Sequence, residues 1–173
     1  MRIIAGEHGG ARIFAPKGLD TRPTSDRVRE AAFNLIGPVD GATVLDLFAG
    51  SGAMGLEAMS RGAASVTFVE SDRDACRTID RNLEKLGVKG ATVVQQDVLQ
   101  ALSTDRRSYD LILSDPPYGY EQQSRLAPYL VRALAPDGLL VYETGVREEP
   151  AIEGLSVRTS RTYGSARLTL FQH

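Results

Sequence analysis

From residue 42 onward the chain alternates short apolar runs with amphipathic stretches, and this alternation constrains the fold more than any other feature. Thr43 to Phe48 reads as a buried strand, Ala53 to Arg61 as a helix and Ser65 to Glu70 as a second strand. Ser71 caps a helix carrying Ala75, Cys76, Ile79, Leu83 and Leu86 on one face, closed by Gly87. The unit recurs as strand Ala91 to Gln96, a short helix through Val98 to Leu102, and strand Tyr109 to Ser114. A helix with Leu126, Tyr129, Leu130, Ala133 and Leu134 follows, its start obscured by Pro128. After the turn Pro136-Asp137-Gly138 come strand Leu139 to Glu143 and two closing strands, Leu155 to Thr162 and Ala166 to Gln172, around Tyr163-Gly164-Ser165. Strands that alternate with helices predict an α/β fold: a doubly wound, mostly parallel sheet covered on both faces, with an antiparallel hairpin at one edge. Ligands of such sheets lie beyond the carboxyl ends of the strands, at the topological switch point. The chemistry is therefore expected just after the strands.

Two further segments precede this unit. Arg2 to Ala5 and Ala11 to Ala15 predict short strands around Glu7-His8-Gly9-Gly10, a mobile hairpin arm. Beyond the link from Pro16 to Pro23, Thr24 or Ser25 caps a helix whose Val28, Ala31, Ala32, Leu35 and Ile36 share one face, ended by Gly37-Pro38. The expected division is an arm and link, residues 1–21, and one domain, residues 22–173, which suits a chain of 173 residues. One cysteine excludes an internal disulfide, and with two distant histidines it leaves too few ligands for a zinc site of the usual kinds. The amino-terminal residues lack the apolar run of a secretory signal, and no stretch approaches the ~18 apolar residues of a membrane span. A cytoplasmic protein without metal or membrane association is expected. Net charge is −2, yet residues 1–37 hold six Lys/Arg against four acids, so the only local positive excess is at the amino end. That points any phosphate contact to Arg2 and Arg12 of the arm, with Arg22 and Arg27 behind them.

The first strand runs into Asp46-Leu47-Phe48-Ala49-Gly50-Ser51-Gly52-Ala53-Met54-Gly55, where three glycines match G-x-G-x-x-G. Alone the pattern fits a dinucleotide, with Glu70 some 20 residues on to hold a ribose. Asp46 weighs against that ligand, because its carboxylate would lie beside the phosphates. It favours a cationic one such as S-adenosylmethionine, which carries a sulfonium and an ammonium and no phosphate. Asp97, after the third strand, is placed either to accept from an adenine amino group or to cap the helix it opens. Cys76 reads as core, since nothing near it in sequence lowers its pKa.

Asp115-Pro116-Pro117-Tyr118 is the most specific signal. Two prolines remove two backbone donors, so the chain leaves the sheet in a stiff loop with free carbonyls. Asp115 and the Pro116 carbonyl can each accept a proton of a planar amino group while Tyr118 stacks on the base that bears it. The nitrogen is then held in line with a methyl donor.

Together, Asp46 to Gly52, Glu70, Asp97 and Asp115 to Tyr118 resemble the class I S-adenosylmethionine-dependent methyltransferases that act on exocyclic amino groups. Within that class the segment Arg22 to Asn34, the opening Met1 to Gly6 and the closing Tyr163 to Leu168 resemble the bacterial small-subunit (16S) ribosomal RNA guanine-N2 methyltransferases, over essentially the whole chain. One departure is Ser114, where an apolar residue is more usual. The resemblance implies a Rossmann-like, seven-stranded sheet and S-adenosylmethionine as cofactor. It implies that Thr24, Asp46, Phe48, Gly50, Gly52, Glu70, Ser71, Asp97 and Val98 bind the cofactor, and that Asp115, Pro116 and Tyr118 hold the guanine. Arg2, Arg12, Arg22 and Arg27 would meet the RNA, within an assembled or assembling ribosomal subunit.

Three other readings stay open on the residues alone. An amino-group methyltransferase acting on adenine N6 or on a protein glutamine would share the Asp-Pro-Pro-Tyr chemistry, and product analysis separates it. An NAD-linked dehydrogenase is distinguished by which cofactor stabilises the protein. A catalytically silent RNA-binding assembly factor would transfer no methyl group.

Overall fold

The computed structural model describes residues 1–15 and 26–173. Its elements in chain order are α1 (Asp26–Ile36), β1 (Thr43–Leu47), α2 (Ala53–Ser60), β2 (Ser65–Glu70), α3 (Arg73–Leu86), β3 (Ala91–Gln95), α4 (Val98–Thr104), β4 (Tyr109–Ser114), α5 (Gln123–Ala133), β5 (Leu134–Gly145), β6 (Ser156–Tyr163) and β7 (Ala166–Gln172). The strands form one seven-stranded sheet in the order β3-β2-β1-β4-β5-β7-β6. β3 through β5 are parallel, whereas β7 runs antiparallel between β5 and β6. The order reverses between β1 and β4, the switch point at which this topology opens a ligand crevice.

Period-two alternation sends the two sides of each central strand into separate cores. Val44, Val66, Phe68, Leu111, Leu113 and Val141 face α1, α2 and α3, represented by Phe33, Leu56 and Ile79. Leu45, Leu47, Val69, Ile112 and Leu140 face α4 and α5, represented by Leu102, Leu126 and Leu130. Burial on both faces is why these strands read as continuous apolar runs.

Several boundaries differ from the sequence expectation. α3 is capped by Asp72, whose side chain accepts the Ala75 N–H at 2.7 Å, and not by Ser71, one residue too early to reach that N–H. β5 starts at Leu134 because Leu134 already pairs with Tyr109; the Pro136-Asp137-Gly138 turn is a bulge before Leu139 rejoins Leu111. α5 begins at Gln123 and carries Pro128 inside it. The proposed caps Thr24 and Ser25, and the link before them, lie outside the described residues. No helix among the described residues is long and apolar enough to cross a membrane.

The arm is docked, where the sequence suggested a mobile one. A single bridge joins Arg2 to Arg12, and Ile3 and Ile13 are both buried in the core under α2. The buried Glu57 of α2 accepts the N–H of Ile4 at 2.8 Å and of Ala5 at 3.0 Å. Ser60 accepts the His8 N–H on its hydroxyl and the Glu7 N–H on its carbonyl, and donates to the Ala5 carbonyl. The fit there is tight: a Cβ on Gly6 would stand 1.8 Å from the Ser60 carbonyl oxygen. On the other side, Asn82 of α3 accepts the Phe14 N–H at 2.7 Å and returns a hydrogen bond to the Phe14 carbonyl at 3.0 Å. Glu57 also pairs with Arg61 at 2.8 Å and with the fully buried Arg29 at 3.5 Å, while Arg29 reaches Asp26 at 2.9 Å and the Arg2 carbonyl.

Candidate active site at the carboxyl ends of the strands

Register aligns the expected site residues. Leu47 of β1 pairs with Val69 of β2 and with Ser114 of β4, and Val69 pairs with Val94 of β3. Glu70 is the last residue of β2, and Phe48 and Asp115 are the first residues past the ends of β1 and β4. Asp46 lies two residues before Phe48, inside β1. Three carboxylates from three strands therefore converge on the switch point.

The glycine-rich loop is built from these carboxylates. Gly52 takes φ 78°, a left-handed conformation that opens α2 without a side-chain cap. Glu70 accepts the Gly50 N–H at 2.8 Å with one oxygen and the Asp72 N–H at 2.9 Å with the other, bracing the loop against the start of α3. Asp46 accepts the Gly55 N–H at 2.9 Å, and a Cβ at Gly55 would stand 2.3 Å from the Phe68 ring and 2.9 Å from Asp46 Oδ2. The third glycine is thus required by the approach of β1 and β2 to the helix. Burial pushes the Asp46 carboxyl up to about 8; the Gly55 N–H opposes that shift, and the nearby Asp115 and Glu70 charges add to it. A buried, neutral acid beside a short loop is poised to become charged when a cation arrives.

Asp115 and Tyr118 are exposed at the mouth, Tyr118 almost fully at 97%, and Pro116 is half-buried between them. Tyr120, which sequence reasoning missed, turns inward. Its ring meets Phe48 edge-on at 5.1 Å, and its hydroxyl is buried with no hydrogen-bond partner among the described residues. Burial raises its pKa; Asp97 adds to the rise and Arg125 opposes it. Phe48 is the one non-glycine described residue with positive φ, at 55°. A strained aromatic thus packs against a tyrosine whose hydroxyl is unmet, and an unmet buried donor costs about 1 to 3 kcal/mol. The departing residue Ser114 also buries its hydroxyl without a partner among the described residues, behind Asp115. The sequence signal for Tyr120 was no more than a second tyrosine two positions past the motif.

Asp97 caps α4, accepting the Leu99 and Gln100 N–H groups with one oxygen at 3.0 and 3.3 Å, so its other oxygen is uncommitted by these bonds. Val98 is buried beneath it. From Asp97 an open groove of about 780 Å³ runs between α4 and α5 past Gln100, Gln122 and Arg125. Ser71 is exposed beside Glu70. Burial and the carboxylates of Glu70, Asp80 and Asp72 push the Cys76 thiol up to about 11, consistent with a core residue. Arg2, Arg12 and Arg27 are exposed on the arm side, Arg2 pairing with Asp26 at 3.4 Å. Thr24 and Arg22 lie outside the described residues.

The chain matches the family model described as Conserved hypothetical protein 95 over residues 1–172. It is similar to Ribosomal RNA small subunit methyltransferase D of Escherichia coli (strain K12), 36% identical over 154 residues, which span 88% of this chain and 76% of that protein. The protein of the same name from Haemophilus influenzae is 32% identical over 182 residues, spanning 100% of this chain and 94% of the relative. A solved Escherichia coli structure, yhhF, superimposes with a TM-score of 0.90 at 34% identity, covering 100% of this chain and 97% of that one.

Proposed function

The chain belongs to the small-subunit ribosomal RNA methyltransferase family matched by the Conserved hypothetical protein 95 model, and from that premise we propose that it methylates the exocyclic N2 amino group of a guanine in 16S ribosomal RNA. The observation that carries this reading is the register that brings the Asp115-Pro116-Pro117-Tyr118 loop beside Phe48 and Glu70 at the switch point. S-adenosylmethionine, the cofactor, supplies an electrophilic methyl group on a sulfonium. Asp46, Gly50, Gly52 and Thr24 take its methionine end, Glu70 its ribose and Asp97 its adenine, with Phe48, Ser71 and Val98 completing the wall. The fit rests on the donor set: three carboxylates and no cation among them, with the Tyr120 hydroxyl in need of a partner.

Asp115 and the Pro116 carbonyl accept the two protons of the guanine amino group, and Tyr118 stacks on the ring. These acceptors favour rehybridisation of a nitrogen whose lone pair is conjugated into the base. No base need deprotonate it beforehand; the surplus proton leaves after transfer. The guanine must be unstacked or already exposed in a loop. The arm with its link, residues 1–21, presents Arg2 and Arg12 to RNA, and Arg22 and Arg27 follow at the edge of the domain, residues 22–173. The substrate is RNA within an assembled or assembling subunit in the cytoplasm. Incubation with labelled S-adenosylmethionine and undermethylated small subunits, followed by nucleoside analysis, is expected to yield N2-methylguanosine. Labelled N6-methyladenosine, methylglutamine or no product would overturn the reading.

Two expected results concern the cofactor. Glu70→Ala removes a charge-assisted acceptor and weakens S-adenosylmethionine binding by roughly 1 to 3 kcal/mol; unchanged affinity by calorimetry would remove Glu70 from the site. Asp46 gives a pH signature. Its folded carboxyl titrates near 8 against an ordinary 3.8, so between those values the free protein holds a proton that a cationic ligand must expel. Affinity should therefore rise with pH until about 8 and then level, with proton release visible as a dependence on buffer ionisation enthalpy. Asp46→Asn should bind more weakly with a flat profile. A wild-type profile already flat from pH 6 to 9 would exclude this coupling.

A further inference from the structure

We propose that Phe14, Arg12 and the Arg81 and Lys85 stripe of α3 form a second contact surface, which holds by its phosphates the RNA flanking the target base. The proposal rests on the reading of an RNA substrate and adds to it a location that the arm's own charges do not give. Because Ile3 and Ile13 point into the core, period-two alternation turns Arg12 and Phe14 outward. Phe14 is 37% exposed, one of three large apolar side chains so exposed among the described residues. Its backbone does not drift, since the buried Asn82 side chain clamps both its N–H and its carbonyl. Over its ring stand the Arg81 guanidinium at 4.2 Å and the Lys85 ammonium at 4.8 Å. The ring orients two long cationic side chains that would otherwise sample many rotamers, lowering the entropy cost of a phosphate contact.

The charges of this face are available. Among the described residues, Arg12, Arg81 and Lys85 form no ion pair. Of the acids on α3, Asp74 pairs with Arg77 at 3.5 Å, Asp80 precedes Arg81 by one position, about 100° round the helix, and Glu84, three positions after Arg81, forms no ion pair with it. An aromatic ring with cations beside it is the composition of surfaces that track nucleic-acid backbones, and among the described residues Phe14 is the one ring that carries two. The face also shares an anchor with the candidate active site: the Asn82 amide that clamps Phe14 donates to the Ser51 carbonyl of the glycine loop at 3.2 Å.

The test is a salt titration of binding to a fluorescently labelled RNA hairpin with guanines in its loop. R81Q/K85Q should lower affinity by about tenfold at roughly 0.1 M salt and reduce the slope of log affinity against log salt by about 1.4 to 1.8, at 0.7 to 0.9 per phosphate contact. Arg12→Gln should remove about half as much slope, and Arg158→Gln, on the exposed edge strand β6, none. Binding of S-adenosylhomocysteine and the unfolding midpoint should be unchanged in all variants, which separates lost contact from lost fold. A wild-type slope in R81Q/K85Q, or an equal drop in Arg158→Gln, overturns the proposal while leaving the methyl-transfer reading intact. Loss confined to whole ribosomal particles, with RNA alone bound normally, overturns it in favour of an acidic protein neighbour. If wild-type protein neither binds RNA nor methylates it, the functional reading fails first.

Discussion

Asp115→Ala is expected to transfer methyl groups at about one hundredth of the wild-type rate or less in single turnover, the scale of losing one preorganised polar group at a reacting centre. Its cofactor affinity should barely change, because Asp115 opens the loop after β4 whereas the glycine loop is braced by Glu70 and Asp46. One indirect effect must be kept apart. The Asp115 charge helps to raise the Asp46 carboxyl, so its removal eases the ionisation of Asp46. Measuring the single-turnover rate above pH 8 with saturating cofactor leaves only the action on the amino group. Asp115→Asn, which keeps one acceptor oxygen and loses the charge, should fall between. Transfer by Asp115→Ala at the wild-type rate would sink the assignment.

The second large effect is on stability. Glu57→Ala should destabilise the protein by about 3 to 5 kcal/mol in urea unfolding, because it leaves the fully buried Arg29 without its α2 carboxylate. It also strips the acceptor from two backbone N–H groups of the arm. The two losses separate by protease sensitivity, since release of the arm exposes residues 1–15 before global unfolding. If the cost lies in the stranded charge, Arg29→Met combined with Glu57→Leu should be more stable than Glu57→Ala alone. A loss below about 1 kcal/mol for Glu57→Ala would mean that Asp26 compensates Arg29 unaided.

The strand and helix alternation was legible because both faces of the sheet are covered, which leaves short apolar runs separated by amphipathic stretches. The positions of Asp46, Glu70, Asp97 and Asp115 were legible for the same reason: each lies at or within two residues of a strand's carboxyl end, and parallel strands place those ends in one row. What the sequence withheld depends on long-range hydrogen bonds. Ser71 and Asp72 are both good caps, and only helix geometry chooses Asp72. Glu57 reads as one more solvated helix acid, yet it is buried because the arm folds over it. The motif singles out Tyr118, which is exposed, and passes over Tyr120, which is the one turned inward against Phe48. Arg81 and Lys85 sit in a helix of mixed charge, and their pairing with Phe14 spans most of the distance from the amino end to α3.

The docking of the arm has a consequence for the order in which the molecule is made. Phe14 is held by Asn82, 68 positions later, and Ile4 and Ala5 by Glu57, 53 and 52 positions later. A ribosome makes the arm before its anchors, and at about 5 to 20 residues per second the interval between Phe14 and Asn82 is several seconds. During that time the arm's N–H groups have only water, and Ile3 and Ile13 have no core to enter. The arm therefore closes over α2 and α3 only once the glycine loop that Asn82 also holds has itself been made.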